Sequence, residues 1–296
     1  MVPIEYLLRE PFIHIIKYPY NSNNSALEDA RARIKEMEAL GVKGILLGGK
    51  SVIHGLNVLG KGCTSIVVKA LLDVHSSGAC RNSSSSRCND SNVEDYHAVN
   101  YDDNDDAIIV ALKMMRSDSG RVSMEREANM LAMANNVGIG PNLISYSSNL
   151  LAMELIDGMH MVELIRELES RNNNYHPIRI RSILNDILEQ CFILDSIGLD
   201  HGELGNMNRH VMISDRTYII DFESSSTTRR VANVTSAVNY ILFGRGSRVL
   251  AGMLNLYTRR DEVISALSRY RLDMNRERFN ELLTLLDLKF YKESSK

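Results

Sequence analysis

From residue 51 the chain alternates apolar and polar positions around glycines, in SVIHGLNVLGKGCTSIVVKALL. A period of two is the mark of half-buried strands. Two strands are predicted, Val52–Leu59 and Ser65–Leu72, joined by a glycine-rich turn. AIIVALKMM is a further strand, and Leu143–Tyr146 with Asn149–Ile156 form another pair. The period changes to that of a helix at 26–40, where Leu27, Ala30, Ile34, Met37 and Leu40 recur on one face and Gly41 stops the run. A second helix is expected from Ser123 to Asn136. Further on, the pattern is mainly helical, at Val162–Ser170 and Ile178–Ile197, broken by the short apolar runs HVMIS and TYIID. Strands first and helices later predict an α+β protein of two lobes.

Residues 73–106 interrupt this order. They are poor in apolar side chains and rich in Ser, Asn and Asp, so they bury too little to offset ordering entropy and are expected as a disordered insertion. The expected domains are an N-terminal extension at 1–50 that carries the 26–40 helix, a β-rich lobe at 51–154, and a short helical lobe at 155–296. The extension would dock a partner or brace the β-rich lobe.

The chain has 296 residues and 44% hydrophobic content, enough for a sizeable core. Its net charge of −3 gives no strong global pull on nucleic acid. Acids crowd the stretch from Asp90 to Asp106, while arginines gather after Leu204, including Arg229–Arg230 and Arg259–Arg260. Those arginines are either solvated helix faces or a surface for RNA or an acidic partner. No apolar run is long enough to span a membrane, and no secretory signal is visible, so a cytoplasmic protein is expected. Four cysteines form no CxxC pair. Cys80 and Cys88, with His75 and His97 nearby, have irregular spacing for zinc, and a local disulfide is an equally weak reading.

Three groups of residues carry possible chemistry. In LDHGELGNMNRHVMISDRTYIIDFES, a hairpin would set Asn208 and Asp221 at one end, as two oxygen ligands for a hard cation such as Mg²⁺. Glu203 in the preceding loop could accept a proton from a hydroxyl. The plain alternative is a polar hairpin whose Asn and Asp only cap turns. Gly60, Lys61 and Gly62, with Ser65 after them, form a turn whose backbone could approach phosphates. A strand follows the turn, so it is neither a Rossmann fingerprint nor a P-loop. Lys113 lies inside an apolar strand, either snorkelling at an edge or held against phosphates. On the next helix Glu127 shares the apolar stripe of Met124, Leu131 and Ala134, so it needs a positive partner, and Lys113 is the economical one.

These pieces, in this order, resemble the protein-kinase signature set. Gly60–Ser65 is similar to the glycine-rich loop, Lys113 to the V-A-I-K lysine, and Glu127 to the helix-C glutamate. LLAMELIDG resembles the hinge, where Glu154 and Ile156 would offer backbone groups to adenine. His201-Gly202-Glu203-Leu204, ending in Asn208, resembles the catalytic loop, and Asp221-Phe222-Glu223 the D-F-G metal motif. Gly202 stands for the usual Arg, Glu203 for the Asp, and Glu223 for the Gly. No A-P-E segment follows. The chain resembles the small atypical kinases: the RIO group, the kinase subunit of the KEOPS complex, and archaeal predicted Ser/Thr kinases with H-G-E-L and I-D-F-E motifs.

The resemblance implies a two-lobed kinase-like fold and an ATP- and Mg²⁺-dependent phosphotransferase. Its acceptors would be Ser or Thr hydroxyls on a protein substrate, itself included, with Ser83–Ser86 as a convenient target. Lys113, Glu203, Asn208 and Asp221 would be the catalytic group, with Asn208 and Asp221 on the metal. Gly60, Lys61, Gly62, Ser65, Lys113, Glu127, Glu154 and Ile156 would hold ATP. His201 and His210 are expected to be structural. Three alternatives stay open: a pseudokinase scaffold, a small-molecule kinase of the aminoglycoside or choline type, and an ATPase subunit of an RNA-modification or ribosome-related complex.

Overall fold

The computed structural model describes residues 1–20, 24–73, 107–170, 177–256 and 258–288. The predicted insertion, with Cys80, Cys88 and Ser83–Ser86, lies outside the described residues from position 74 onward. The chain divides into two compact units. One comprises Met1–Ala128 with Asn142–Leu155, the other Asn129–Pro141 with Ile156–Lys296.

The first unit holds β1 (Val2–Pro3), α1 (Ile13–Ile16), α2 (Asn24–Ala39), β2 (Val42–Leu46), β3 (Ser51–Ile53), β4 (Leu56–Val58), β5 (Gly60–Lys61), β6 (Ser65–Asp73) and β7 (Ala107–Met115). Then α3 (Glu125–Asn135) leaves it, and β8 (Leu143–Tyr146) and β9 (Leu150–Glu154) return to it. The sheet order is β1-β2-β6-β7-β9-β8, with β5 also pairing β6. Its pairings are antiparallel, and the longest runs from Ser65 opposite Met115 to Asp73 opposite Ala107. Side chains alternate across a strand. On β7 this sends Val110, Leu112 and Met114 into a core shared with Ile66, Val68, Ala70 and Leu72 of β6 and with Ala30, Ile34 and Met37 of α2. Lys113 therefore points from the opposite face of β7.

Two expectations are corrected. Residues 1–50 are not an appendage: β1 and β2 extend the sheet, and α1 and α2 build its core. The helix 26–40 covers a sheet face because its apolar stripe has no other place to be buried. Its Glu36 also accepts from Ser147 Oγ (2.5 Å), Asn149 N (3.1 Å) and Asn149 Nδ2 (2.6 Å), fastening the β8–β9 turn. The second correction concerns Val52–Leu59, which is not one strand. It folds back at His54 (φ 46°) and Gly55 (φ 80°) into the β3–β4 hairpin. Two consecutive positive φ angles make the tight turn whose twist suits antiparallel strands.

The second unit holds β10 (Met159–His160), α4 (Met161–Glu169), α5 (Pro177–Ser196), the single turn α6 (Met207–His210), β11 (Val211–Ile213), β12 (Thr217–Ile219), α7 (Asn233–Phe243), α8 (Ser247–Met253), α9 (Arg260–Leu272) and α10 (Arg276–Leu285). HVMIS and TYIID form the predicted hairpin, β11–β12, and β10 adds a third strand. Helix α5 buries Ile180, Ile183, Leu184, Ile187, Leu188, Cys191 and Leu194. A buried carboxylate organises this core: Asp195 accepts from Asn233 N and Nδ2 (2.9 Å each), Val234 N (3.2 Å) and Tyr270 Oη (2.9 Å). Burial pushes its carboxyl pKa up, and those four donors oppose the shift. Cys191 is buried and its thiol is raised well above its usual range by desolvation, which makes it a packing residue. No helix among the described residues is long and apolar enough to cross a membrane.

Candidate active site

In the first unit, β7 and α3 bring a lysine and a glutamate together out of water. Lys113 Nζ donates to Glu127 Oε1 at 2.5 Å, and both side chains are 4% exposed. Glu127 is held a second time, because Arg121 Nη1 donates to its Oε2 at 3.1 Å. A buried carboxylate is tolerated when its oxygens are both satisfied by charged donors. Sequence reasoning misses Arg121 as part of this group, since it lies in a loop with no periodic pattern.

The glycine-rich turn is tighter than the phosphate-cradle reading expects. Gly62 N–H donates to Ser65 O at 2.8 Å, so that amide is spent inside the turn. Ser65 itself is buried at the start of β6, while Lys61 and Cys63 are exposed. At the end of β9, Glu154 N–H donates to Asn142 O (2.9 Å), which removes that donor from any adenine contact. Ile156 belongs to the second unit.

In the second unit the stretch 199–224 is pinned by backbone and imidazole bonds. Asp200 and Ser226 exchange N–H···O bonds of 2.9 Å, and His201 N–H donates to Asn233 Oδ1 at 2.8 Å. The fully buried His201 ring lies 3.1 Å from Ile220 O through Nε2, and its Nδ1 lies 3.4 Å from Glu203 N. A carbonyl only accepts, so Nε2 carries the proton and Nδ1 accepts from the Glu203 amide. Burial, and next the neighbouring His210, lower the His201 pKa to about 4, so the ring is neutral at pH 7. It is a staple that ties the backbone of Glu203 to that of Ile220, in keeping with the structural role expected for it.

Asn208 does not simply precede a strand. It sits in the single turn α6, buried, and its Oδ1 accepts from Tyr240 Oη of α7 at 2.6 Å. Burial raises the Tyr240 phenol to about 12, so it stays a donor. Asp221 adopts φ 69°, ψ 74°, a left-handed conformation that Asp tolerates better than most residues. That single departure turns the chain sharply after β12. Phe222 is then buried.

His210 lies closer to the chemistry than expected. Its Nε2 is 3.8 Å from Glu203 Oε2 and its Nδ1 is 4.0 Å from Asp221 Oδ2. Glu203, His210 and Asp221 each offer a ligand atom, all within 4.8 Å of one another. The His210 Nδ1 atom is buried with no hydrogen-bond partner among the described residues. The carboxylates of Glu203 and Asp221 are 40% and 38% exposed. Hard oxygens from Asp221 and Asn208 suit Mg²⁺, which takes few protein ligands alongside phosphate oxygens and water.

Gly202 has a structural reason. At φ 87° it sits under Arg229, and a Cβ there would collide with that guanidinium. Arg229 Nε donates to Asp200 at 2.5 Å and Nη2 to Ser224 O at 3.0 Å. Arg230 donates to Arg271 O. Arg276 pairs with Glu189 (2.7 Å) and Arg181 with Asp287 (2.9 Å). Arg229, Arg230 and Arg276 thus each make bonds within the fold, while Arg229 and Arg276 stay about half exposed.

A lysine–glutamate pair joining a strand to a helix, with an H-G-E-L loop and an I-D-F-E turn, defines a reduced protein-kinase-like protein. Residues 87–233 match the family model of the RIO domain. An uncharacterized protein of Methanocaldococcus jannaschii is 32% identical over 94 residues, which are 32% of this chain and 74% of that relative. The chain belongs to the RIO family of atypical kinases, with an archaeal relative, and its fold is the kinase-like α+β one.

Proposed function

We propose that this protein is an ATP- and Mg²⁺-dependent phosphotransferase acting on Ser or Thr hydroxyls of proteins, itself included. The observation that carries this reading is the stretch 199–224. There His201 fixes the backbones of Glu203 and Ile220 while the carboxylates of Glu203 and Asp221 remain open to solvent.

In this reading Asp221 and Asn208 hold Mg²⁺, and Tyr240 orients the Asn208 amide. Lys113, fixed by Glu127, neutralises phosphate charge. Residues 60–65 lie against the phosphates through Lys61 and the amides not used inside the turn. Glu154 and Ile156 flank the adenine with backbone groups, from which the Glu154 N–H is excepted. Bound Mg²⁺ supplies charge neutralisation of the phosphates. Glu203 orients the acceptor hydroxyl and takes its proton as the oxygen bonds to the γ-phosphorus and ADP leaves. Glu is one methylene longer than the Asp usual at this position, and in water the two kinds of carboxyl differ little in acidity.

A second reading keeps the nucleotide and changes the acceptor. Glu203 is 40% exposed, so water reaches it, and an ATPase would use the same groups. A nucleotide-binding scaffold without transfer is the third. The test is incubation with γ-³²P-labelled ATP and Mg²⁺, alone and with a basic protein substrate, for wild type, Glu203→Gln and Asp221→Asn. Label on protein in wild type, reduced at least about hundredfold in both variants, supports the kinase. Free labelled phosphate without labelled protein supports the ATPase. ATP bound but unchanged contradicts both. Mass spectrometry of the same samples finds whether Ser83–Ser86 are modified.

A further inference from the structure

The N-terminal segment before α2 touches the glycine-rich turn through one aromatic ring. Tyr18 has Lys61 Nζ at 4.8 Å and Arg116 Cζ at 5.0 Å from its ring centroid. Lys61 belongs to β5, at the start of the turn, and Arg116 directly follows β7. Arg116 is itself aimed by a fork: its Nε and Nη2 donate to the Asp118 carboxylate at 2.8 and 2.7 Å. That leaves Nη1, which donates to Gly62 O at 2.9 Å. The Arg116 backbone N–H donates to Thr64 O at 2.8 Å. Two carbonyls of the turn, those of Gly62 and Thr64, are therefore held by one residue, whose guanidinium lies on Tyr18.

Tyr18 is tethered in turn. Ser117 N–H donates to Tyr18 O at 3.0 Å, and Ser117 Oγ lies 3.2 Å from Pro19 O. A second contact comes from α1, where His14 stacks on His54 of the β3–β4 turn with ring centroids 3.8 Å apart. The segment thus touches both the β3–β4 turn and the glycine-rich turn.

We propose that this segment is a working part of the nucleotide-binding apparatus, in which Tyr18, through Lys61 and Arg116, sets the conformation of residues 60–65 and with it the affinity for nucleotide phosphates. Tyr18 is a positioning residue and touches no reacting atom. The proposal rests on the nucleotide-binding reading of the turn.

Two substitutions separate the ring face from simple bulk. Tyr18→Phe keeps the π face, and Tyr18→Leu keeps an apolar side chain without it. Two measurements are made on the full chain: calorimetric titration with ADP and Mg²⁺, and amide hydrogen exchange. The Leu variant is expected to weaken ADP binding roughly fivefold, the effect of losing one or two exposed cation–π contacts. The Phe variant is expected to bind as wild type does. Exchange at residues 62–64 is expected to quicken by a similar factor in the Leu variant, with the β6–β7 ladder unchanged.

Wild-type exchange at 62–64 in the Leu variant overturns the proposal. So does faster exchange spread evenly through β6 and β7, which would make Tyr18 an ordinary stabilising residue. If exchange responds as expected but ADP affinity does not, the ring braces the turn without serving nucleotide, which also overturns it. A wild-type protein that binds no nucleotide refutes the reading of the turn, while the exchange measurement still decides whether Tyr18 holds it.

Discussion

The Lys113–Glu127 pair and the Glu203–His210–Asp221 group are both ionisable clusters, yet they are built in opposite ways. The first is 4% exposed on each side, with Glu127 bonded by Lys113 and by Arg121. The second keeps its carboxylates 40% and 38% exposed and, among the described residues, leaves the buried His210 Nδ1 without a hydrogen-bond partner. Burial without pairing is costly, so the first cluster must be complete in itself. The second holds its carboxylates in contact with solvent, where charge is tolerated without such completeness. A closed pair fixes geometry, and a solvent-open one leaves its carboxylates accessible.

The comparison is broken most strongly at Lys113. Lys113→Met leaves Glu127 buried with Arg121 alone, and should cost about 2–3 kcal/mol of stability, below the full cost of an orphaned buried charge. Phosphoryl transfer should fall about hundredfold. The double variant Lys113→Met with Glu127→Leu removes both charges, and should recover stability but not transfer. Chemical denaturation and labelled-ATP transfer on the same preparations test this. Recovery of both would show that the pair only holds the fold.

Tyr240→Phe is a smaller change on the open side. It deletes the 2.6 Å hydrogen bond to Asn208 Oδ1 and keeps the ring. Partners that orient a ligand typically change metal affinity by ten- to a hundredfold. Here the Mn²⁺ dissociation constant in the presence of ADP, read by electron paramagnetic resonance, should rise about tenfold, with little change in thermal midpoint. A large fall in thermal midpoint with unchanged Mn²⁺ affinity would assign Tyr240 to packing.

The smallest effect concerns pH. The His201 ring has its pKa lowered in the fold to about 4, against 6.5 for the free side chain. Between these values the unfolded chain binds a proton that the folded one refuses. Stability from this group is thus fully present above about pH 6.5 and is lost as pH falls toward 4. The loss is roughly 3 kcal/mol at most. The raised carboxyl of Asp195 acts in the opposite sense over part of the acid range. Nitrogen NMR of the imidazole separates them: His201 should stay neutral, protonated on Nε2, from pH 8 to pH 5. A midpoint near 6.5 would contradict the staple.

The parts legible in the sequence are those with local period. β7 as an apolar strand carrying Lys113, α3 with Glu127 on its helical stripe, and the β11–β12 hairpin are each read from a pattern local to the element. The β3–β4 turn escapes such a reading because alternation continues across His54–Gly55, and only positive φ angles break it. The single helical turn at Asn208 is too short to show a period. Tyr240 and Asn208 stand 32 residues apart, and Tyr18 meets the turn through Lys61 and through Arg116 just past the end of β7, so no local pattern links them. His210 reads as structural because a histidine at the entry to a strand gives no sign of the carboxylates on either side.

The central claim of the proposal is that Asp221, with Asn208, takes a divalent cation together with the nucleotide. The most direct measurement is calorimetric titration of ATP into wild type and Asp221→Asn, each with Mg²⁺ and with chelator. Asn tolerates the left-handed backbone at position 221, so the variant tests charge and not folding. Wild-type binding should tighten at least about tenfold with Mg²⁺, and the variant should show no such gain. Equal Mg²⁺ enhancement in both proteins, or ATP binding indifferent to Mg²⁺ in wild type, would contradict the account.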